Sequence, residues 1–175
     1  LGYRADIIKS YFASYKSSVD DYSIDLSTGK IDVINGADED WKVTLINTGE
    51  STMTGGRLKR LGRYLEGKRF LLTYGDGLSD VDVNKVIEQH SFGNALITMT
   101  AVHPPARFGE VEITDEGTVS SFEEKPQLKE GWINGGFFVV EPEFLDLIDG
   151  DHQMLEQEPL RRASELGRLQ AYKHE

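Results

Sequence analysis

Residues 69–77, with the sequence RFLLTYGDG, decide the fold class of this chain of 175 residues. A short apolar run that ends in a Gly-Asp-Gly turn is typical of a strand buried on both faces of a parallel sheet. Apolar side chains at helical spacing precede this run at residues 58–65 and follow it at residues 81–90, and residues 95–102 have a further strand pattern. This alternation predicts an α/β protein with a doubly wound, mostly parallel sheet.

The segments on either side of this core add two hairpins and several short elements. Residues 22–34 alternate around Ser27-Thr28-Gly29, and residues 110–123 alternate around Asp115-Glu116-Gly117, so both predict β-hairpins. The spacing of apolar residues predicts a helix over 4–15, strands over 41–46, 133–140 and 168–173, and short helices near 142–148 and 156–166. Without an internal repeat or a low-complexity linker, we expect one domain over residues 1–175.

Composition excludes several classes of protein. The net charge of -11 opposes binding to nucleic acid or to anionic membranes. The absence of cysteine excludes disulfides and thiolate zinc sites. No apolar run is long enough to span a bilayer. We therefore expect a cytoplasmic protein without nucleic-acid or membrane partners.

Asp76 is the strongest candidate for chemistry. It follows the strand of residues 69–74, at the edge where open α/β sheets bind ligands, and glycines on both sides allow close approach to the backbone. A carboxylate is the protein ligand that Mg²⁺ prefers when substrate phosphates complete its shell. The alternative is an ordinary Gly-Asp-Gly turn.

Two further segments could each bind a ligand or could each have only a structural role. Residues 48–57 offer hydroxyls, glycines and Arg57 before a helix, which predicts an anion or base site rather than a mobile loop. The Asp80-Val81-Asp82 run could bind a metal–nucleotide complex, but it lies where a helix must begin. Because negative charge stabilises a first helical turn, we favour a structural role there, with Ser79 or Asp80 as the cap.

Residues that follow the second predicted hairpin could bind a phosphate and a sugar. Lys125 could neutralise a phosphate and Glu124 could accept sugar hydroxyls, unless both belong to a solvated charge run. Asn134 offers a donor and an acceptor, and Gly135 inside a strand indicates either close approach by a ligand or a simple bulge.

The ordered set of segments STMTGGRLKR, TYGDG, PPARFG, FEEKP, INGGFFVVEP and EQEPL resembles the sugar-phosphate nucleotidyltransferases over essentially the whole chain. The branch that transfers a cytidylyl group to glucose 1-phosphate is the most similar. The resemblance implies a Rossmann-like nucleotidyltransferase fold with a small β-hairpin part that binds sugar. It implies that CTP and α-D-glucose 1-phosphate give CDP-glucose and pyrophosphate, with Mg²⁺ as cofactor. It also implies a homo-oligomer and a role in making surface polysaccharide such as the O-antigen of lipopolysaccharide.

The same resemblance implies a role for each matching residue. Asp76 would hold Mg²⁺ and, with Lys125, would be catalytic. The nucleotide would contact Thr52, Arg57 and Gly75, and the sugar would contact Glu124, Asn134 and Gly135.

Departures from the family pattern leave alternatives open. The family's glycine-rich triphosphate loop, its Pro-Lys-Pro segment and its second metal-binding Asp have no match in residues 1–175. We therefore expect N- and C-terminal elements to be missing, and the chain to be an interior segment that is inactive alone. A sibling thymidylyl- or uridylyltransferase is one alternative, although residues 51–60 and Gly77 favour the cytidylyl type. A nucleotide-sugar-binding domain without turnover is a second, and a glycosyltransferase using Asp80 and Asp82 is a third.

Overall fold

The computed structural model describes residues 1–36, 38–65, 67–104, 110–123 and 131–174. The chain divides into two compact units, Leu1–Met53 and Thr54–Glu175. The single domain expected from the sequence stays a prediction. In the part of the chain that the structure describes, no helix is both long and apolar enough to span a bilayer.

The N-terminal unit contains two helices and a hairpin. The helices are α1 (Ala5–Ala13) and α2 (Tyr15–Val19), and the antiparallel hairpin pairs β1 (Asp21–Asp25) with β2 (Lys30–Asn35). The predicted helix and hairpin are therefore confirmed. The strand predicted over residues 41–46 is wrong, because these residues join no β-ladder. An alternating pattern becomes a strand only when a second strand supplies the hydrogen-bonding partners.

The C-terminal unit is built on a four-stranded sheet. Its members are β3 (Phe70–Thr73), β4 (Ile97–Val102), β7 (Ile133–Val140) and β8 (Leu169–Lys173), in the order β3-β7-β4-β8. The pair β4–β8 is parallel, whereas β7 is antiparallel to both of its neighbours, so three of the four strands run in one direction. The α/β fold class is confirmed, and the reversed β7 is the feature that the sequence pattern did not specify.

Strand β3 differs from its prediction in burial. Its side chains alternate between half-buried and exposed, with Leu71 55% exposed, rather than being buried on both faces. In the described sheet β3 has a partner on one side only, which is β7. The alternation arises because Phe70 and Leu72 pack against the apolar core on one face, whereas Leu71 and Thr73 lie on the opposite, exposed face.

Three helices and a second hairpin complete this unit. The helices are α3 (Thr54–Leu61), α4 (Val83–Ser91) and α5 (Glu158–Glu165), with 3₁₀ turns at Gly62–Tyr64 and Pro142–Leu147. The predicted second hairpin is confirmed as β5 (Glu110–Ile113) paired with β6 (Val119–Glu123). The main apolar core lies between the sheet and helices α3 and α5, and its fully buried side chains include Ile97, Phe138, Val140, Phe144 and Ile148. Helix α4 contributes Val86 to a second, smaller apolar cluster with Val81 and Val139.

Helix α3 is held against the segment before α5 by close backbone contact. A methyl group added at Gly56 would lie 2.5 Å from the Asp151 Cα, and one at Gly55 would lie 2.9 Å from the Gln153 carbonyl oxygen. Backbone atoms cannot move aside as a flexible side chain can. Glycine is therefore required at both positions for this packing.

A buried polar network connects α4 with the end of the sheet opposite Asp76. The His90 ring is almost fully buried, with Nδ1 2.7 Å from the Thr98 hydroxyl and Nε2 3.2 Å from Glu141. Arg69 donates to Glu141 at 2.7 Å. Burial lowers the pKa of His90 more than the neighbouring Glu141 raises it, so the folded protein keeps the ring neutral at pH 7. A neutral ring can accept from Thr98 and donate to Glu141 at the same time.

We expect Gly56→Ala to destabilise the full-length protein by about 2 kcal/mol or more, because the added methyl group overlaps the backbone of residue 151. Gly75→Ala is the matched control, since its added methyl group meets nothing within 4 Å. Urea unfolding followed by circular dichroism measures both variants. Equal midpoints for the two variants would contradict the packing role of Gly56.

We expect the buried His90 to make the free energy of unfolding decrease as the pH falls below about 7. The pKa of His90 is lowered in the folded state, so the unfolded chain takes up a proton first, at about pH 6.5, and folding weakens as the pH falls. The measurement is the urea midpoint against pH for the wild type and His90→Gln. The variant should show the shallower dependence of the urea midpoint on pH. Identical slopes for wild type and His90→Gln would refute this role.

Candidate active site

Asp76 lies in an exposed turn just after β3, with Gly75 before it. A methyl group added at Gly75 would meet no atom within 4 Å, so a ligand can approach the backbone there. The turn thus leaves room for a ligand, and it also has the form of an ordinary turn. The roles predicted for Asp76 and Gly75 stay predictions.

The turn offers one carboxylate, that of Asp76, as a ligand for Mg²⁺. Among the described residues, no group of three or more His, Asp or Glu side chains could hold a metal ion. Mg²⁺ is commonly bound through one or two carboxylates, while substrate phosphates and water complete its octahedral shell. Asp76 therefore fits the ion as one protein ligand in a site that the substrate must complete.

Asn134 lies at the same edge of the sheet as Asp76, because β7 runs against β3. Tyr74, the residue after β3, donates its backbone N–H to the Gly136 carbonyl at 3.3 Å. The Asn134 side chain is fixed on both sides. Its Oδ1 accepts from the Gly136 N–H at 2.9 Å, and its Nδ2 donates to the Tyr74 hydroxyl at 3.0 Å.

The glycines that follow Asn134 form the bulge that the sequence left as one alternative. The register between β4 and β7 shifts across this point. A methyl group at Gly135 would lie 2.7 Å from the Thr100 hydroxyl oxygen, and one at Gly136, where φ is 82°, would lie 2.8 Å from the Tyr74 ring. Packing within the protein therefore explains both glycines. A contact between Gly135 and sugar stays a prediction.

Tyr74 and Glu156 meet at this edge of the sheet, and sequence reasoning gave neither of them a role. The Tyr74 hydroxyl donates to Glu156 Oε1 at 2.7 Å, and the Thr54 hydroxyl donates to Glu156 Oε2 at 2.9 Å. Burial and the adjacent Glu156 carboxylate raise the pKa of Tyr74 above the usual value of a phenol, so the hydroxyl stays protonated. The segments TYGDG and EQEPL contain both residues, but a separation of 82 positions gives no local signal that they meet.

Two backbone amides in the segment of residues 48–57, where the sequence predicted an anion or base site, already have partners within the protein. The backbone N–H groups of Gly55 and Gly56 both donate to the Gln153 carbonyl, at 3.0 and 3.3 Å. These two amides therefore serve packing, and the predicted anion site at them is wrong. Arg57 is half-buried on α3, and Thr52 is buried at the end of the N-terminal unit. Their contacts with a nucleotide stay predictions.

Asp80 and Asp82 have structural roles. Asp82 is the N-cap of α4, where its carboxylate accepts from the Asn84 N–H at 3.0 Å and the Lys85 N–H at 3.4 Å. The predicted cap at Ser79 or Asp80 is therefore wrong, because the helix begins after Asp82. The Asp80 carboxylate instead lies 3.0 Å from the His174 ring. This arrangement supports the structural interpretation and counts against a metal–nucleotide site at these carboxylates.

Glu124 and Lys125, which were predicted to contact the sugar and its phosphate, lie outside the described residues, as do residues 105–109 of the PPARFG segment. Their roles stay predictions.

Comparison with known proteins identifies the family to which the chain belongs. Residues 52–171 match the model of the nucleotidyl transferase family. The glucose-1-phosphate cytidylyltransferases of Salmonella typhi and Salmonella typhimurium strain LT2 are each 44% identical over 174 residues, which cover 99% of this chain and 67% of each relative. The chain thus spans about two thirds of their length.

Among solved structures, HddC from Yersinia pseudotuberculosis superimposes with a TM-score of 0.56 at 26% identity, over 77% of this chain and 59% of that one. The matched family model extends over well over half of the chain, and the Salmonella relatives align with almost all of it. The chain is therefore a member of the nucleotidyl transferase family.

Proposed function

We propose that the full-length protein transfers a cytidylyl group from CTP to α-D-glucose 1-phosphate, giving CDP-glucose and pyrophosphate. The observation that carries this proposal is the similarity, along nearly the whole chain, to glucose-1-phosphate cytidylyltransferases. The geometry supports it, because the exposed Asp76 turn and the Asn134 side chain lie at one edge of the sheet. In open α/β sheets this edge is the usual place for ligands.

The reaction needs no covalent intermediate on the protein. An oxygen of the sugar phosphate attacks the α-phosphorus of CTP, the new P–O bond forms, and the bond to the β-phosphate breaks to release pyrophosphate. The protein must place two anions together and stabilise the charge that develops between them. That demand is severe for a chain with a net charge of -11.

The residues of this chain divide between the two substrates. Asp76 would hold Mg²⁺, which when bound neutralises phosphate charge. Thr52, Arg57 and the Gly75 backbone would contact the nucleotide. Asn134 and Gly135 would contact the sugar together with Glu124, and Lys125 would meet its phosphate. A cytoplasmic location and a homo-oligomer belong to the same proposal and rest on the family resemblance.

We expect the full-length protein to release pyrophosphate from CTP in the presence of Mg²⁺ and glucose 1-phosphate, and not from UTP, dTTP or GTP. A coupled pyrophosphate assay with the four nucleotides side by side measures this. Turnover with another nucleotide would place the protein with a sibling activity. A folded protein that binds CDP-glucose but turns over none of the four would support the non-catalytic alternative.

We expect Asp76→Ala to lower kcat by a factor on the order of 100 to 1,000, the usual loss when a group that stabilises transition-state charge is removed. Asp82→Ala is the matched control from the same loop. It should keep its turnover and lose about 0.5–2 kcal/mol of stability, because it removes a helix cap. The reverse pattern would favour the glycosyltransferase alternative.

A further inference from the structure

A cavity of about 380 Å³ that is widely open to solvent lies between α5 and one face of the sheet. Met99, Leu160 and Leu169 line its apolar part, and the Asn134 and Glu156 side chains are among its polar lining. Its volume falls within the range of about 300–1,000 Å³ that is usual for small-molecule sites. An apolar surface with a few polar groups suits a sugar ring, which has C–H faces and a hydroxyl edge.

The charges around this cavity select against a phosphate. Arg161 is the cation among its lining residues, and it already pairs with Glu158 at 2.6 Å and with Glu165. Glu156 adds a negative charge that repels an anion. The cavity therefore fits the uncharged, hydroxyl-bearing end of a sugar phosphate, with the phosphate lying elsewhere.

Glu156 is oriented for hydrogen bonding before any ligand arrives. Each of its oxygens accepts one bond, from Tyr74 and from Thr54, whose own oxygen accepts from the Leu155 N–H at 2.9 Å. A carboxylate has about four acceptor positions, so each oxygen can accept another bond. Two fixed oxygens lose little conformational entropy when a hydroxyl binds.

Tyr74 connects the two polar side chains of the cavity. Its hydroxyl accepts from Asn134 and donates to Glu156, so one phenol sets the orientation of both groups. Among the described residues, the bonds of the Asn134 side chain to Tyr74 and Gly136 use one of its two N–H groups and one acceptor position. The second N–H is then available to a hydroxyl oxygen.

We propose that Glu156 is a specificity-determining residue that accepts a hydrogen bond from a sugar hydroxyl, and that Tyr74 is the positioning residue that holds Glu156 and Asn134 in place. This inference rests on the proposed function and adds two residues to its sugar side. It also gives the sugar phosphate an orientation, with its hydroxyl end towards α5.

The test uses the full-length enzyme with Mg²⁺, CTP, glucose 1-phosphate and the four analogues of that sugar phosphate that lack one hydroxyl each. We expect Glu156→Gln to raise the KM for glucose 1-phosphate by about 10- to 100-fold, as for loss of a hydrogen bond to a charged group, and to leave the KM for CTP within about twofold. One analogue should be a poor substrate for the wild type, and Glu156→Gln should no longer distinguish it from glucose 1-phosphate.

Tyr74→Phe tests the positioning role. It should raise the KM for glucose 1-phosphate by about tenfold, again without changing the KM for CTP, because the ring still packs but no longer holds the two polar groups. Glu143→Gln and Tyr64→Phe make the same chemical changes on exposed residues outside the cavity, and both should behave as the wild type. If Glu156→Gln does not fold, Glu156→Asp replaces it in the test, because it keeps the negative charge but shortens the side chain. It should show the same altered analogue pattern.

The outcomes separate this inference from the proposed function. A wild-type enzyme without turnover overturns both. Turnover with an unchanged KM for glucose 1-phosphate in Glu156→Gln, or with all four analogues affected equally in wild type and variant, overturns the role of Glu156 alone. An equal rise in the KM for CTP would indicate a general structural defect and would also overturn it.

Discussion

The pairing of β7 between β3 and β4 is the constraint on which the candidate site depends. Because β7 runs against both neighbours, its first residues lie beside the last residues of the other strands. The polar residue at its start, Asn134, therefore meets Tyr74, which immediately precedes the turn that contains Asp76. If β7 were parallel to its neighbours, Asn134 would lie at the opposite end of the sheet, near Arg69.

Hydrogen bonding through Glu156 and Tyr74 joins four distant parts of the chain at this edge. Glu156, just before α5, accepts from Thr54 at the start of α3 and from Tyr74 at the end of β3, and Tyr74 in turn accepts from Asn134 on β7. Such a network fixes side chains whose positions a loop alone would not define. A rigid first layer of polar groups is what a site needs when it must place two anions together.

Both glycine pairs of the site segments are explained by packing. Gly55 and Gly56 allow α3 to approach the backbone at Asp151 and Gln153, and their amides bond to the protein rather than to a phosphate. The pair at 135 and 136 lets β7 bulge past Thr100 and the Tyr74 ring. In each case the glycines support the site indirectly, by positioning a neighbouring polar residue.

The sequence by itself determined the α/β class, both hairpins, the position of Asp76 after β3 and the family, because periodicity, turn residues and ordered motifs are local properties of the chain. It did not determine that β7 is reversed, that residues 41–46 lack a ladder, that Asp82 caps α4, or that Glu156 meets Tyr74. Strand direction and partnership are fixed by pairing between residues far apart in the chain, and the meeting of two side chains 82 positions apart follows from that pairing. Only the tertiary structure decides such contacts, since no local pattern encodes which distant backbone lies alongside.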